Sequence, residues 1–239
     1  MKNLFFAFLG CFVLSAAIAQ NTVVKDPNAQ SRAVSGFHAI KVSNGIHLYL
    51  VQGNEEAVAV SASDKEYRDR IRTEVENGVL KIYYDNDSWK FWDSDERKKL
   101  KAYVSCKILD RLKASSGAQV DVDGSISSAN LAMDFSSGSN FKGKVNVQEL
   151  KVEQSSGAES FIGGVAAILR IQASSGSSMK GYELETDQCD ANTSSGATVR
   201  VTVKKELNAS ASSGSEIYYK GTGVVRDLST SSGGEVSKR

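Results

Sequence analysis

Few residues in this chain could do chemistry. Its only two histidines, His38 and His47, stand among polar alternates of strand-like stretches in the first half. Neither lies in a His-Glu-x-x-His helix or at a zinc-ligand spacing, so no metal is expected and the pair reads as solvated. Carboxylates that could act as acid and base occur as Asp121 with Asp123, and as Glu183 with Glu185 and Asp187. A solvated acidic loop accounts for them equally well. No serine sits in a Gly-x-Ser-x-Gly elbow, and Gly163-Gly164 and Gly221-Thr222-Gly223 lack the remainder of a phosphate loop. The expectation is no catalytic residue and no cofactor.

Recognition has better candidates. Both tryptophans fall in Asp87–Asp93, where alternation sends Trp89 and Phe91 to one side and Lys90 and Trp92 to the other. Exposed aromatic rings stack on sugars or anchor a protein partner. The same segment could instead cap an open apolar core. Tyr218 and Tyr219 pose a smaller version of that question near the other end.

These side chains must be held by a repeat. Ser-Ser-Gly occurs seven times, ending at Gly117, Gly138, Gly157, Gly176, Gly196, Gly214 and Gly233, at spacings of 21, 19, 19, 20, 18 and 19 residues. Aligned on the glycine, residues five before it are Leu112, Met133, Val152, Ile171, Ala191, Ala209 and Leu228. Those three after it are Val120, Phe141, Met179, Val199, Ile217 and Val236, with Ser160 the exception. Polar residues alternate with them, so each unit is a strand with one buried face. Like residues returning to one column about every 19 positions predict an all-β parallel β-helix or solenoid, whose coils stack about 4.8 Å apart. Leucine-rich repeats, propeller blades and calcium-binding rolls fit the period or the columns less well. The glycine suits a sharp bend. The small residue after it (Ala118, Ser139, Ala158, Ser177, Ala197, Ser215, Gly234) is expected to point inward with the second serine, where stacked hydroxyls bond to one another and to bend carbonyls.

Residues 1–19 read as a secretory signal: Lys2, an apolar run over residues 4–18, and Ala17-Ile18-Ala19 before Gln20. Phe8-Leu9-Gly10-Cys11 matches a lipoprotein box only loosely, so lipidation at Cys11 is not expected. Without Lys2, 28 basic residues face 28 acidic ones, which gives no reason to expect nucleic acid as a partner. No later segment is apolar enough to span a bilayer as a helix. Cys189 occupies a leucine column and Cys106 an alternating row about four coils away, roughly 20 Å. That exceeds the reach of a disulfide, so two free core thiols are expected.

Residues 20–33 read as a flexible lead-in, residues 34–110 as an N-terminal β part and residues 111–239 as the repeat. Ala39–Val42, Ile46–Val51, Ala57–Ser61 and Val79–Tyr83 read as strands, and Asp64–Thr73 as a helix capped by Asp64 with Tyr67 and Ile71 on one side. Ser35-Gly36-Phe37, Ile40-Lys41-Val42, Ser43-Asn44-Gly45-Ile46, Val51-Gln52-Gly53 and Asn77-Gly78-Val79-Leu80-Lys81-Ile82, followed by the small-Ser-Gly units, resemble the auto-transporter adhesin head GIN domain family, common in Bacteroidetes. The resemblance runs over roughly residues 34–236. It implies a right-handed parallel β-helix in a secreted or envelope protein. The chain departs from an auto-transporter plan by ending at Arg239, so self-translocation is not expected.

The reading is an exported, non-enzymatic β-solenoid of the cell envelope, periplasmic, outer-membrane-associated or secreted, that binds glycan or protein like an adhesin. A carbohydrate-active enzyme on the same scaffold and a structural periplasmic protein are the alternatives. The closing charges Glu235, Lys238 and Arg239 are expected to blunt the last edge against end-to-end stacking.

Overall fold

The computed structural model describes residues 26–85 and 98–239; the signal-like stretch and the Trp89, Phe91 and Trp92 segment lie outside them. The alternating apolar positions form strands throughout. The first half gives β1 (Gln30–Arg32), β2 (Ala39–Val42), β3 (His47–Gln52), β4 (Ala57–Ser61), a short helix α1 (Lys65–Asp69), β5 (Ile71–Glu76), β6 (Val79–Tyr84), β7 (Lys101–Cys106) and β8 (Arg111–Ala114). The repeat gives β9 (Gln119–Phe135), β10 (Asn140–Gln154), β11 (Glu159–Ala173), β12 (Ser178–Thr193), β13 (Thr198–Ser212), β14 (Glu216–Lys220), β15 (Val224–Ser231) and β16 (Glu235–Lys238). Strands β8 to β16 pair in parallel, each with its counterpart one coil away, as a parallel β-solenoid requires.

The long strands carry register shifts a few residues in, as between Lys142 and Lys144 or Phe161 and Gly164, and the β12–β13 pair has another between Thr186 and Gln188. At these shifts, the coil's second bend, Gly164 has φ +103°, and a Cβ there would lie 2.0 Å from the Val145 carbonyl oxygen, so no larger residue fits. Each coil thus runs from one Ser-Ser-Gly corner to the next through bulged, irregular stretches. We call the strands leading into the Ser-Ser-Gly corner the first face and those leaving it the second.

The corner is a two-residue turn. The Ala118 amide donates to the Ser115 carbonyl at 3.1 Å across Ser116 (φ 52°) and Gly117 (φ 72°), and the other six corners repeat those angles within a few degrees. Positive φ at both central residues is the type I′ pattern. Corners also bond to one another: the glycine amide of each donates to the second serine's carbonyl in the next, as in Gly117 to Ser137 at 3.0 Å. This corrects the expected side-chain directions. The second serine is exposed in every unit, because two left-handed residues in succession interrupt the strand alternation and turn the serine outward. The residue after the glycine is buried in six of the seven units, and it alternates Ala and Ser along the stack rather than stacking hydroxyl on hydroxyl. Ser139 Oγ donates instead to the Ala114 carbonyl of the preceding coil at 3.0 Å, and Ser177 Oγ to that of Gln154 at 3.3 Å.

The same corner occurs once more, outside the Ser-Ser-Gly set. Asn44 (φ 60°) and Gly45 (φ 67°) make the turn between β2 and β3, and the Gly45 amide donates to the Ser116 carbonyl at 2.9 Å. Strand β2 therefore lies between β6 and β8, and β3 between β7 and β9, all parallel, so the sheet runs unbroken across residues 110 and 111. Beyond β6 and β7 the edge is covered by antiparallel strands: β5 on β6, β4 on β7, and β1 on β4.

The expected helix over residues 64–73 is shorter. Asp64 caps it, its carboxylate accepting from the Glu66 amide at 2.8 Å, but the helix ends at Asp69. From Ile71 the alternation of Ile71, Thr73 and Val75 wins, and these residues pair with Tyr84, Ile82 and Leu80 across the Asn77-Gly78 turn. Cys106 and Cys189 are buried, free thiols, as expected. Burial raises both, Cys106 to about 11, so neither ionises at neutral pH.

Candidate functional site: an outward ladder on the second face

Four residues after each corner glycine the chain points outward on the second face. Because the coils are in register, these positions form one ladder: Tyr103, Tyr49, Asp121, Lys142, Phe161, Lys180, Arg200, Tyr218 and Ser237. At about 4.8 Å per rung its eight intervals run roughly 38 Å along the axis. The residues on either side of most rungs, such as Leu48 and Leu50 or Val199 and Val201, are buried and fix the rung's direction.

Aromatic rings hold the N-terminal end. His47 and Tyr49 stack with ring centroids 4.1 Å apart, and Tyr49 stacks on Tyr103 at 5.2 Å. The Tyr103 hydroxyl donates to Asp26 Oδ2 at 2.8 Å, and Lys101 Nζ lies 3.5 Å from the same oxygen. Burial and the Asp26 carboxylate push the Tyr103 phenol well above the usual range. Burial alone would raise Asp26, but bonds from the Tyr103 and Ser61 hydroxyls and the Asn28 amide, with the Lys101 charge, hold it below the ordinary carboxylate value. His47 Nε2 bonds Asp121 Oδ2 at 2.5 Å, and His38 Nδ1 bonds Asp110 Oδ2 at 2.8 Å. The two histidines are thus tied to carboxylates on separate faces, and among the described residues no cluster of three potential metal ligands forms.

Cations and rings alternate toward the other end. The Tyr218 ring lies between Arg200, 5.5 Å from its centroid, and Arg239 at 4.3 Å, and Lys220 lies 4.3 Å over Tyr182. The adjacent tyrosines are split: Tyr218 faces outward while Tyr219 packs against the core.

The charges on the first face and the second bend behave differently. Lys113 pairs with Asp134 at 2.6 Å, Arg226 with Glu206 at 2.9 Å, and Arg170 with Glu149 and, at 3.9 Å, Asp190. Of the carboxylates singled out in the sequence, Glu185 is held by Lys204 at 2.5 Å, Asp187 by Lys205 at 2.8 Å and Asp121 by His47. Opposite signs on neighbouring coils thus neutralise each other, which explains charges that look scattered along the sequence. The ladder residues Tyr49, Tyr103, Phe161 and Arg200 escape sequence reasoning. The column four after the glycine was readable for Phe161 and Arg200, but Tyr49 needed Gly45 to be recognised as a corner and Tyr103 needed its pairing with Tyr49.

Solved structures share the fold. A "putative adhesin" from Bacteroides fragilis superposes with a TM-score of 0.79 at 16% identity, covering 88% of this chain and 96% of that one. A "putative adhesin" from Parabacteroides distasonis gives 0.71 at 16% identity, over 88% and 96%. A "putative lipid binding protein" from the same species gives 0.69 at 18%, over 90% and 98%. No curated protein matches the chain. Residues 36–223 match the family model described as "Putative auto-transporter adhesin, head GIN domain", which spans both the Asn44-Gly45 corner and six of the seven Ser-Ser-Gly corners; the chain belongs to that family.

Proposed function

We propose that the protein is an exported, non-enzymatic, adhesin-like binding protein of the cell envelope, and that the second-face ladder is its contact surface. The observation that carries this reading is the ladder itself: an outward track, seven of whose nine rungs are rings or cations, suited to an extended partner rather than to a small molecule in a cleft. Family membership and the adhesin-named structural relatives support the same role. The carboxylates best spaced for hydrolysis are largely engaged, Asp121 by His47 and Glu185 and Asp187 by lysines, which favours binding over turnover. Trp89, Phe91 and Trp92 belong to the stretch joining β6 to β7 and are proposed as a cover for that end of the stack. Tyr218 is proposed as a contact residue; Tyr219, packed inward, supports it from behind.

The test has two parts. Protease added to intact cells should degrade the protein if it is displayed at the surface; protection would place it in the periplasm and favour a structural role. Purified protein should bind a glycan panel without releasing reducing ends, whereas release would establish the enzyme alternative.

A further inference from the structure

The cations of this molecule divide into two populations. On the first face and at the second bend, Lys113, Arg170, Lys204, Lys205 and Arg226 each meet a carboxylate of a neighbouring coil, while Lys41 and Arg111 do not among the described residues. On the second face, Lys142, Lys144, Arg200, Lys220 and Arg239 have no carboxylate within 4.0 Å among the described residues, whereas Lys180 pairs with Glu159 at 3.2 Å and Lys101 with Asp26 at 3.5 Å. These unpaired cations are interleaved with the rings of Phe161, Tyr182 and Tyr218. Lys142 and Arg200 stand three rungs apart, about 14 Å. Acidic groups lie one column nearer the corner, at Glu159, Glu216 and Glu235, where they can accept hydroxyl protons without standing on the cationic track.

We infer that this track binds an acidic polysaccharide laid along the solenoid axis. Four features fit that ligand. The rungs repeat at about the length of one sugar residue in an extended glycan. Half-buried rings offer apolar surface to sugar C–H groups. Ammonium and guanidinium groups left without a carboxylate partner complement uronate carboxylates or sulfate esters. Flanking carboxylates match sugar hydroxyls. A lipid surface fits less well, because the face lacks a broad apolar patch. The inference rests on the binding role proposed above and narrows it to a ligand class.

The probe is a set of oligogalacturonates titrated calorimetrically into the full chain, with neutral dextran and a single-stranded oligothymidylate as comparisons. Oligogalacturonate should bind, more weakly as salt rises, and dextran should not. The pair Lys142→Glu with Arg200→Glu should lose at least about tenfold in affinity, and the milder Lys142→Gln with Arg200→Gln should lose several-fold, while Lys205→Glu at the second bend changes it less than about twofold. Phe161→Ala should weaken binding without altering its salt dependence. Binding unchanged in both double variants, equal binding to dextran, tighter binding to the oligonucleotide, or no binding would each overturn the inference. Beads coated with the protein and exposed to intact cells separate the two levels of failure. Adhesion that persists without polyuronate binding removes only the ligand class, whereas loss of both removes the binding role.

Discussion

Ser160 Oγ donates to Gln154 Oε1 across the inside of one corner, in the place where Phe135 and Phe141 stack at 5.1 Å one coil earlier. Residues three before and three after each corner glycine face one another, so the serine that breaks the apolar column has its matching exception on the opposite strand. Both side chains are buried, and Gln154 Nε2 has no hydrogen-bond partner among the described residues. Ser160→Ala should therefore cost about 1–3 kcal/mol by orphaning the amide further. Gln154→Leu with Ser160→Val should be neutral or stabilising. Urea melts of the two variants check this; equal losses in both would refute the pairing.

The corners set a second expectation. Gly176 has φ +68° with open space around its would-be Cβ, so Gly176→Ala is strained only through its backbone and should cost about 1–2 kcal/mol. Ser175, at φ 52°, should accept Asn without loss, as Asn44 does in the first corner. Gly164→Ala meets backbone at 2.0 Å and should fail to fold or lose more than about 3 kcal/mol. Thermal melts rank the three.

The tyrosine stack gives a pH signature. The Tyr103 phenol is raised in the folded chain, so folding favours its neutral form. That stabilisation is complete below the ordinary phenol range and is lost as pH rises through the folded value. Asp26 is lowered, so its contribution is present at neutral pH and disappears as pH falls through its depressed value. In an ultraviolet titration Tyr103 should ionise later than exposed tyrosines, and Asp26→Asn should bring it earlier. An unchanged profile would count against the bond.

The thiols should stay silent. A disulfide-exchange reagent at pH 8 should not modify native Cys106 or Cys189, since both are buried with raised pKa values, and should titrate both in denaturant. Rapid native reaction at Cys189 would mean that its leucine-column position opens.

Trp89→Ala with Trp92→Ala should lower the melting midpoint by roughly 10 °C if these rings cover the end of the stack. An unchanged midpoint with lost glycan binding would make them contacts instead.

Much of the architecture was legible because the repeat carries its register in plain sight. Leu112, Met133 and Val152 occupy one column in the sequence and one buried row in the molecule. What escaped was whatever alternation alone does not encode. The outward second serine depended on a left-handed pair that resets the strand's sides. The early end of α1 depended on β5 finding β6 as a partner. The ladder depended on adding rungs that the Ser-Ser-Gly signature does not mark, because Ser43-Asn44-Gly45 makes the same turn with a different middle residue and sits 72 residues before Gly117.

That early corner also bears on how the chain comes together in time. Strands β2 and β3 are made first among the stacked coils, yet their neighbours on both sides, β6 to β9, are all encoded later. A chain emerging N-terminus first must carry β2 unpaired until β6 has appeared and β3 until β7, and their second neighbours come only with residues 111–114 and 119 onward, whereas β10 to β13 can each add to the strand just made. The pairing of the N-terminal strands is thus completed only by the first Ser-Ser-Gly coil, through β8 and β9. A coil synthesised later closes over strands made before it.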